Sequence, residues 1–282
     1  MTLRRTSAAI SPTAHYTGYV WARHGVGPAG LATRTGAVLY NALRPAMAAS
    51  AGAGGPTLEG LLLGRHRAMD QLLSEAIDSG RVGQVVEIAA GLSPRGHQYA
   101  AAYGERLTYV EADLPGMARL KREALERVGG PGSTTHHVVD FDALATEGPQ
   151  SLDAVMAGLD PTVGTAVITE GLLNYLPTEA VTGLWSRLAT QLSRFPAGLY
   201  LSDLHLAGEN SSTVLSAFST LLGAFVRGRI HFHFADAAAA EGALLEAGFR
   251  EARLHRPDAE RFDLPPHLRA GARLVRVVDA RI

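Results

Sequence analysis

The chain contains no cysteine, which excludes disulfides, thiolate metal sites and a thiol nucleophile together, and is compatible with a reducing compartment. A dominant charge is also missing. With 26 basic and 27 acidic residues and a net charge of −1, there is no field to gather nucleic acid or an anionic membrane. Neither partner is expected, and a small ligand is favoured. No stretch approaches the roughly 18 apolar residues of a membrane span. Arg4 and Arg5 imitate the opening of an export leader, but Ser11, Pro12, Thr13 and His15 leave no apolar run behind them. The chain is therefore expected to be soluble and cytoplasmic.

What is present is length and rhythm. The 282 residues suffice for one large core or two small ones. Residues 1–45 are rich in Thr, Gly and aromatics and suggest short helices, and 46–56 are small residues that read as a linker or mobile loop. Over 58–77, Leu61, Leu62, Met69, Leu72, Leu73 and Ile77 recur at helical spacing, and Gly80 ends the helix. Strands are expected at 84–89, 107–111, 135–139, 165–169, 198–203, 249–255 and 273–279, with helices at 115–128, 178–193 and 236–247. Strand-helix alternation implies β-α-β crossovers. The expected fold is α/β: a doubly wound, seven-stranded, mostly parallel sheet from 81 to 282, preceded by an N-terminal helical cap over 1–80. The last two strands, joined by a polar, Pro-rich loop, are expected to form an antiparallel hairpin at the sheet edge.

Open α/β sheets bind ligands at the carboxyl ends of their strands. Here those ends carry Gly91, then Glu111 and Asp113, then Asp140, then Glu170, then Asp203 and His205, an acidic rim around one glycine turn. The turn at Gly91 lacks the glycine spacing that cradles pyrophosphate, and the chain has no Gly-x-x-x-x-Gly-Lys-Ser/Thr loop. Carboxylates in these places suit ribose hydroxyls, an adenine amine and positive charge, which S-adenosyl-L-methionine combines without a phosphate.

The runs Gln84 to Arg95, Tyr109-Val-Glu-Ala-Asp-Leu-Pro115 followed by Lys121, Asp140-Phe141, and Glu170-Gly-Leu-Leu-Asn-Tyr-Leu-Pro177 resemble the successive motifs of the leucine carboxyl methyltransferase family. That family consists of class I, Rossmann-like, S-adenosylmethionine-dependent O-methyltransferases and includes polyketide O-methyltransferases of the tetracenomycin type. The resemblance covers about Arg65 to Pro177 in order and continues more loosely beyond. It implies a cofactor site in which Arg65 meets the methionine carboxylate, Gly91 lets the backbone approach, and Asp113 takes the ribose hydroxyls. Asp140 and Phe141 would hold adenine, and Glu170 would lie near the methionine amine. Where family members have Gly-x-Gly-x-Asp-x-Arg, this chain has Ala89-Ala-Gly-Leu-Ser-Pro-Arg95, and the methyl at 89 is acceptable at negative φ.

Glu87 belongs to the same site, inside a strand where burial requires a partner, with Arg65 or a backbone amide as donor. Arg67 and Asp70 read equally as surface charges of their helix, and Arg95 as a packing residue. His205 and Tyr175 are the catalytic candidates, with Tyr175 also serving as wall. Tyr19, Trp21 and His24 form an N-terminal cover, mobile or static, and with His231 are candidate acceptor contacts. His231 and His233 would share one face of an extended segment, but no third ligand stands at a recognisable spacing and no metal is expected.

Methyl transfer from a sulfonium is an in-line displacement that depends chiefly on alignment and water exclusion. A carboxylic acid is already ionised at neutral pH and needs no base, whereas a phenol gains from one. The expectation is a cytoplasmic O-methyltransferase for a carboxyl or phenolic oxygen of a small polyketide-like acceptor. A protein C-terminal carboxyl methyltransferase, a nucleoside-binding protein without methyl transfer and a nicotinamide-dependent dehydrogenase are the alternatives. The sequence does not fix the oligomeric state.

Overall fold

A computed structural model describes residues 12–209 and 231–282. Arg4 and Arg5, which imitate a leader, Ser11, which speaks against one, and the rest of the expected cap before residue 12 lie outside the described residues. Three helices come first: α1 (Pro12–Arg23), α2 (Arg34–Gly52) and α3 (Leu58–Asp78). Thr33 and Thr57 cap the second and third by accepting the amides of Gly36 and Gly60, each at 3.0 Å, which satisfies donors that a helix start otherwise leaves open.

The linker expected at 46–56 is largely helical, because α2 runs on through Gly52. Its alanines are strong helix formers, and Tyr40 and Leu43 anchor the helix in a cluster with Tyr16, Trp21 and Leu62.

Strands β1 (Gln84–Ile88), β2 (Thr108–Asp113), β3 (His136–Asp140), β4 (Thr165–Thr169), β5 (Gly198–Leu204), β6 (Glu251–His255) and β7 (Arg276–Arg281) form one sheet in the order β3-β2-β1-β4-β5-β7-β6. The first five are parallel, and β7 runs antiparallel to both β5 and β6. The hairpin is thus present, but β7 lies between β5 and β6 and only β6 is the edge. Burial explains that order: Arg276–Ala280 are buried while β6 is half exposed.

The loop expected between these two strands holds a helix, Pro266–Ala272, that packs closely on α3. A Cβ built at Gly60 would stand 2.5 Å from the Leu268 carbonyl oxygen, so glycine permits the approach.

The sheet is covered on both faces. On one, Met69, Leu72 and Leu73 of α3 pack with Val85, Ala166 and Val277. On the other, the helix Thr178–Leu192 sets Trp185 and Leu188 among Val86, Val167 and Tyr200. The amino-terminal half of α3 instead joins α1 and α2 through Leu58, Leu61 and Leu62. One helix therefore ties α1 and α2 to the sheet. Between β1 and β4 the chain order reverses, and the carboxyl ends of these two strands flank the opening where such sheets bind ligands.

Among the described residues no helix is long and apolar enough to cross a membrane.

Candidate active site

The turn after β1 is more constrained than a single glycine would suggest. Ala89 has φ +56° and Gly91 φ +54°. Ala89 therefore adopts the left-handed conformation, not the negative φ expected of it, and an L-residue there is strained by contact of its Cβ with the backbone. Its amide still donates to Ala112 O at 2.7 Å, holding the strand end in place while the chain reverses. Gly91 N then donates to Asp113 Oδ2, and Leu114 N to Asp113 Oδ1, both at 2.7 Å. Burial outweighs these two amides and pushes the Asp113 acid up to about 6.

Beneath the turn lies a buried ionic network. Arg65 donates from Nε to Glu170 Oε1 at 3.0 Å and from Nη1 to Asp203 Oδ2 at 2.6 Å. Asp203 Oδ1 accepts the Gly171 amide at 2.6 Å, possible because Gly171 follows β4 at φ +71°.

Arg95, wholly buried at the start of α4 (Arg95–Tyr103), donates to Asp70, Glu87 and Glu170 at 2.6, 2.6 and 2.7 Å. The partner of Glu87 is thus Arg95, joined by the Tyr109 hydroxyl at 2.7 Å, and not Arg65 or a backbone amide. Arg95 is a network centre, Asp70 belongs to that network, and Arg67 is exposed. Burial would raise the Glu170 acid, but His66, Arg95 and Arg65 outweigh it and hold the carboxyl well below the usual range. For Glu87, burial prevails over Arg95 and the acid is raised.

A cavity of about 300 Å³ joins these elements. Arg65, Glu87, Gly91, Asp113, Glu170, Asp203 and His205 line its polar side, and Tyr16, Trp21, Leu43, Leu58, Leu61 and Leu62 its apolar side. His205 Nδ1 donates to Leu274 O at 2.7 Å, which fixes the tautomer with the lone pair on Nε2. Burial lowers its pKa, against the pull of Asp203. Tyr175 also lines the cavity and is 36% exposed, while burial raises its phenol.

The remaining candidates lie elsewhere. Phe141 is in the core with Val110 and Leu173. Asp140, Tyr19, His24 and His231 are not among the cavity-lining residues. Asp140 pairs with Arg122 at 3.1 Å on the surface, Tyr19 packs on Tyr40 at 5.2 Å between ring centroids, and His24 bonds Glu59 at 3.0 Å. His231 exchanges bonds with Asn174, its amide donating to Asn174 O at 2.9 Å and its carbonyl accepting Asn174 Nδ2 at 2.5 Å. His233 engages Thr178 and Leu173 through its two ring nitrogens. Among the described residues no His, Asp or Glu group is arranged to hold a metal.

Sequence reasoning missed the apolar wall of Leu43, Leu58, Leu61 and Leu62. The helical spacing of Leu61 and Leu62 was visible, but that they faced a cavity was not, and Leu43 gave no signal of its own.

The seven-stranded order with an antiparallel β7 is the class I methyltransferase fold. A DUF574-family protein from Streptomyces avermitilis superposes with a TM-score of 0.61 at 13% identity, covering 95% of this chain and 96% of that one. A protein from Thermobifida fusca, provisionally described as a methyltransferase, gives 0.57 at 13% identity, over 96% and 97%. Residues 27–189 match the sequence profile described as leucine carboxyl methyltransferase, and the chain belongs to that family. A Mycolicibacterium gilvum protein, provisionally named an S-adenosyl-L-methionine-dependent methyltransferase, is 40% identical over 116 residues, 41% of this chain and 36% of that protein. The chain spans less than half the length of that relative.

Proposed function

We propose that this protein is an S-adenosylmethionine-dependent O-methyltransferase acting on a carboxyl oxygen of a small, largely apolar acceptor. The observation that carries this reading is a cavity that combines an acidic, glycine-turned side with an apolar side.

The residues present fit the cofactor. Asp113 spends one lone pair of each oxygen on a backbone amide and keeps others for ribose hydroxyls. Arg65 uses Nε and Nη1 in its two ion pairs and retains Nη2 for the methionine carboxylate. Among the described residues Glu170 Oε1 accepts from Arg65 Nε alone, leaving a lone pair for the methionine ammonium. Around the two guanidiniums of Arg65 and Arg95 stand four carboxyls, Asp70, Glu87, Glu170 and Asp203. With all four carboxyls ionised the excess is negative even when His66, set between Asp70 and Glu170, is counted as a third cation, which favours a ligand with net positive charge. Adenine, given above to Asp140 and Phe141, would lie beyond Asp113 toward β3.

The cofactor supplies an electrophilic methyl group on sulfur. The chain's own contribution is positional: the turn and Asp113 fix one end, Arg65 and Glu170 the other, and the apolar helices exclude water from the acceptor side. A carboxylate acceptor asks no residue to take a proton, consistent with a His205 whose tautomer is fixed by a backbone carbonyl.

The test is calorimetric titration with S-adenosylhomocysteine and, separately, NAD. It is followed by incubation with S-adenosylmethionine and a panel of aryl and alkyl carboxylic acids, matching phenols and a free peptide C-terminus, with methyl gain read by mass spectrometry. Binding of S-adenosylhomocysteine without NAD, and methyl gain on the small acids, is expected. Binding of NAD alone, or methyl gain confined to the peptide, would reject the reading.

A further inference from the structure

On α3, Leu62, Met69 and Leu73 mark a buried apolar stripe at helical spacing, and the position inside that stripe is His66, none of whose surface is exposed. A polar ring in such a place costs desolvation unless it is partnered. Its Nδ1 lies 2.8 Å from Glu170 Oε2. The Glu170 acid is held well below the usual range although burial would raise it, so the carboxylate can only accept and the proton of that bond sits on Nδ1. Arg95 Nη2, 2.8 Å from the same Nδ1, donates to the same oxygen at 2.7 Å, so two donors converge on it. Across the ring Nε2 faces Asp70 Oδ2 at 3.4 Å, and Trp21 packs on the ring with centroids 4.9 Å apart. The imidazole is therefore held in place by its neighbours and spends its Nδ1–H on Glu170.

His66 is not among the residues that line the cavity, whereas Glu170 is. Any effect of His66 on a ligand must pass through that carboxylate. The terminal torsion of a glutamate is soft, so a carboxylate needs holders before either oxygen is aimed. Both guanidiniums around it also serve other carboxyls, Asp203 for Arg65 and Asp70 and Glu87 for Arg95. Resting on the methyl-transfer reading above and its placement of the methionine ammonium at Glu170, we infer that His66 is a positioning residue. By holding Oε2 from behind, it turns Oε1 toward the cavity to receive the ammonium of the cofactor. The role is confined to the methionine end, because the ribose falls to Asp113, which the amides of Gly91 and Leu114 hold instead.

Wild type, His66→Leu, Glu170→Gln and the double variant are titrated by calorimetry with S-adenosylhomocysteine. Each is titrated again with 5′-methylthioadenosine, which keeps adenine and ribose and has neither ammonium nor carboxylate. We expect His66→Leu to bind S-adenosylhomocysteine about tenfold more weakly, the order of one hydrogen bond to a charged group, and 5′-methylthioadenosine within about twofold of wild type. In the Glu170→Gln background the same change should cost less than about twofold, because residues acting as one unit are not additive. His66→Asn, which keeps a donor where Nδ1 stands, should recover most of the affinity. Should His66→Leu fail to fold, the buried Nδ1–H proton of the wild type is followed by NMR, assigned through nuclear Overhauser contacts to the Trp21 ring. It should move with S-adenosylhomocysteine and stay with 5′-methylthioadenosine. The inference is overturned if His66→Leu weakens both ligands alike or neither, if its cost persists in the Glu170→Gln background, or if the proton responds equally to both ligands. Failure of S-adenosylhomocysteine to bind the wild type is a different result, because it rejects the methyl-transfer reading and this inference with it.

Discussion

Arg95 Nη2 lies 2.7 Å from Glu170 Oε2, joining the first turn of α4 to the end of β4 across 75 residues. Because the same guanidinium holds Glu87 and Asp70, its removal strands buried carboxylates instead of deleting one contact. Arg95→Met is therefore expected to lower unfolding free energy in urea by about 3–5 kcal/mol, as for a buried ion pair that loses one partner. The exposed Arg67, changed to Met, should stay within about 0.5 kcal/mol of wild type. A loss below about 1 kcal/mol at position 95 would mean that the network tolerates uncompensated charge.

Much of the frame behind that network was legible in the sequence, and particular residues show where legibility stops. The run Thr165–Thr169 was bounded correctly because a buried parallel strand is a continuous apolar stretch between turn residues. The carboxylates at strand ends were visible too, since topology alone places them there. Their partners were not. Glu87 is paired by a residue eight positions on, and the choice of Arg95 over Arg65 depends on which side of the sheet each helix docks. The alanines of α2 read as a linker because small residues carry no amphipathic signal, although they favour helix once Tyr40 and Leu43 anchor it. Trp21 was legible as an aromatic in a cover segment, but its seat against the buried His66 ring is a property of packing alone.

Ala89 at φ +56° makes a prediction of opposite sign to that for Arg95. The left-handed conformation costs an L-residue roughly 1–2 kcal/mol, and the greater freedom of glycine in the unfolded chain returns about 0.5–1 kcal/mol of that. Ala89→Gly should therefore raise stability by about 0.5–1 kcal/mol, read as a higher urea midpoint with unchanged slope. Ala89→Val should lower it, because a β-branched side chain tolerates this region least. A destabilised glycine variant would show that the Ala89 methyl makes packing contacts worth more than the strain.

The raised acid of Asp113 should appear in ligand binding. If ribose hydroxyls donate to the carboxylate, the binding form is the ionised one. With a pKa of about 6, affinity is full above pH 7 and falls as pH drops through 6. At pH 5 roughly one molecule in ten is ionised, so the dissociation constant for S-adenosylhomocysteine is expected to be about tenfold higher than at pH 7.5. Asp113→Ala should weaken binding at pH 7.5 by tenfold or more, about 1.4 kcal/mol, and remove the dependence. A constant affinity for the wild type from pH 5 to 7.5 would take the ribose away from Asp113.

His205 separates the two acceptor chemistries. Its Nδ1–H is committed to the Leu274 carbonyl at 2.7 Å, and burial lowers its pKa below the ordinary 6.5, so the neutral ring is favoured above that pH. A carboxylate acceptor is fully ionised above that pH as well, and nothing in the transfer step then titrates. With such an acceptor the wild-type rate should be flat between pH 6.5 and 8. His205→Ala should lose less than about tenfold, a loss of orientation and not of proton transfer. Removing a positioned base would instead cost on the order of 100- to 10,000-fold. With a phenol the neutral ring could serve as that base, and the rate would fall at lower pH as the ring gains its proton. A loss above about 100-fold in His205→Ala, together with a wild-type rate that declines as pH falls toward 5 at saturating S-adenosylmethionine, would establish base catalysis and exclude the positional role.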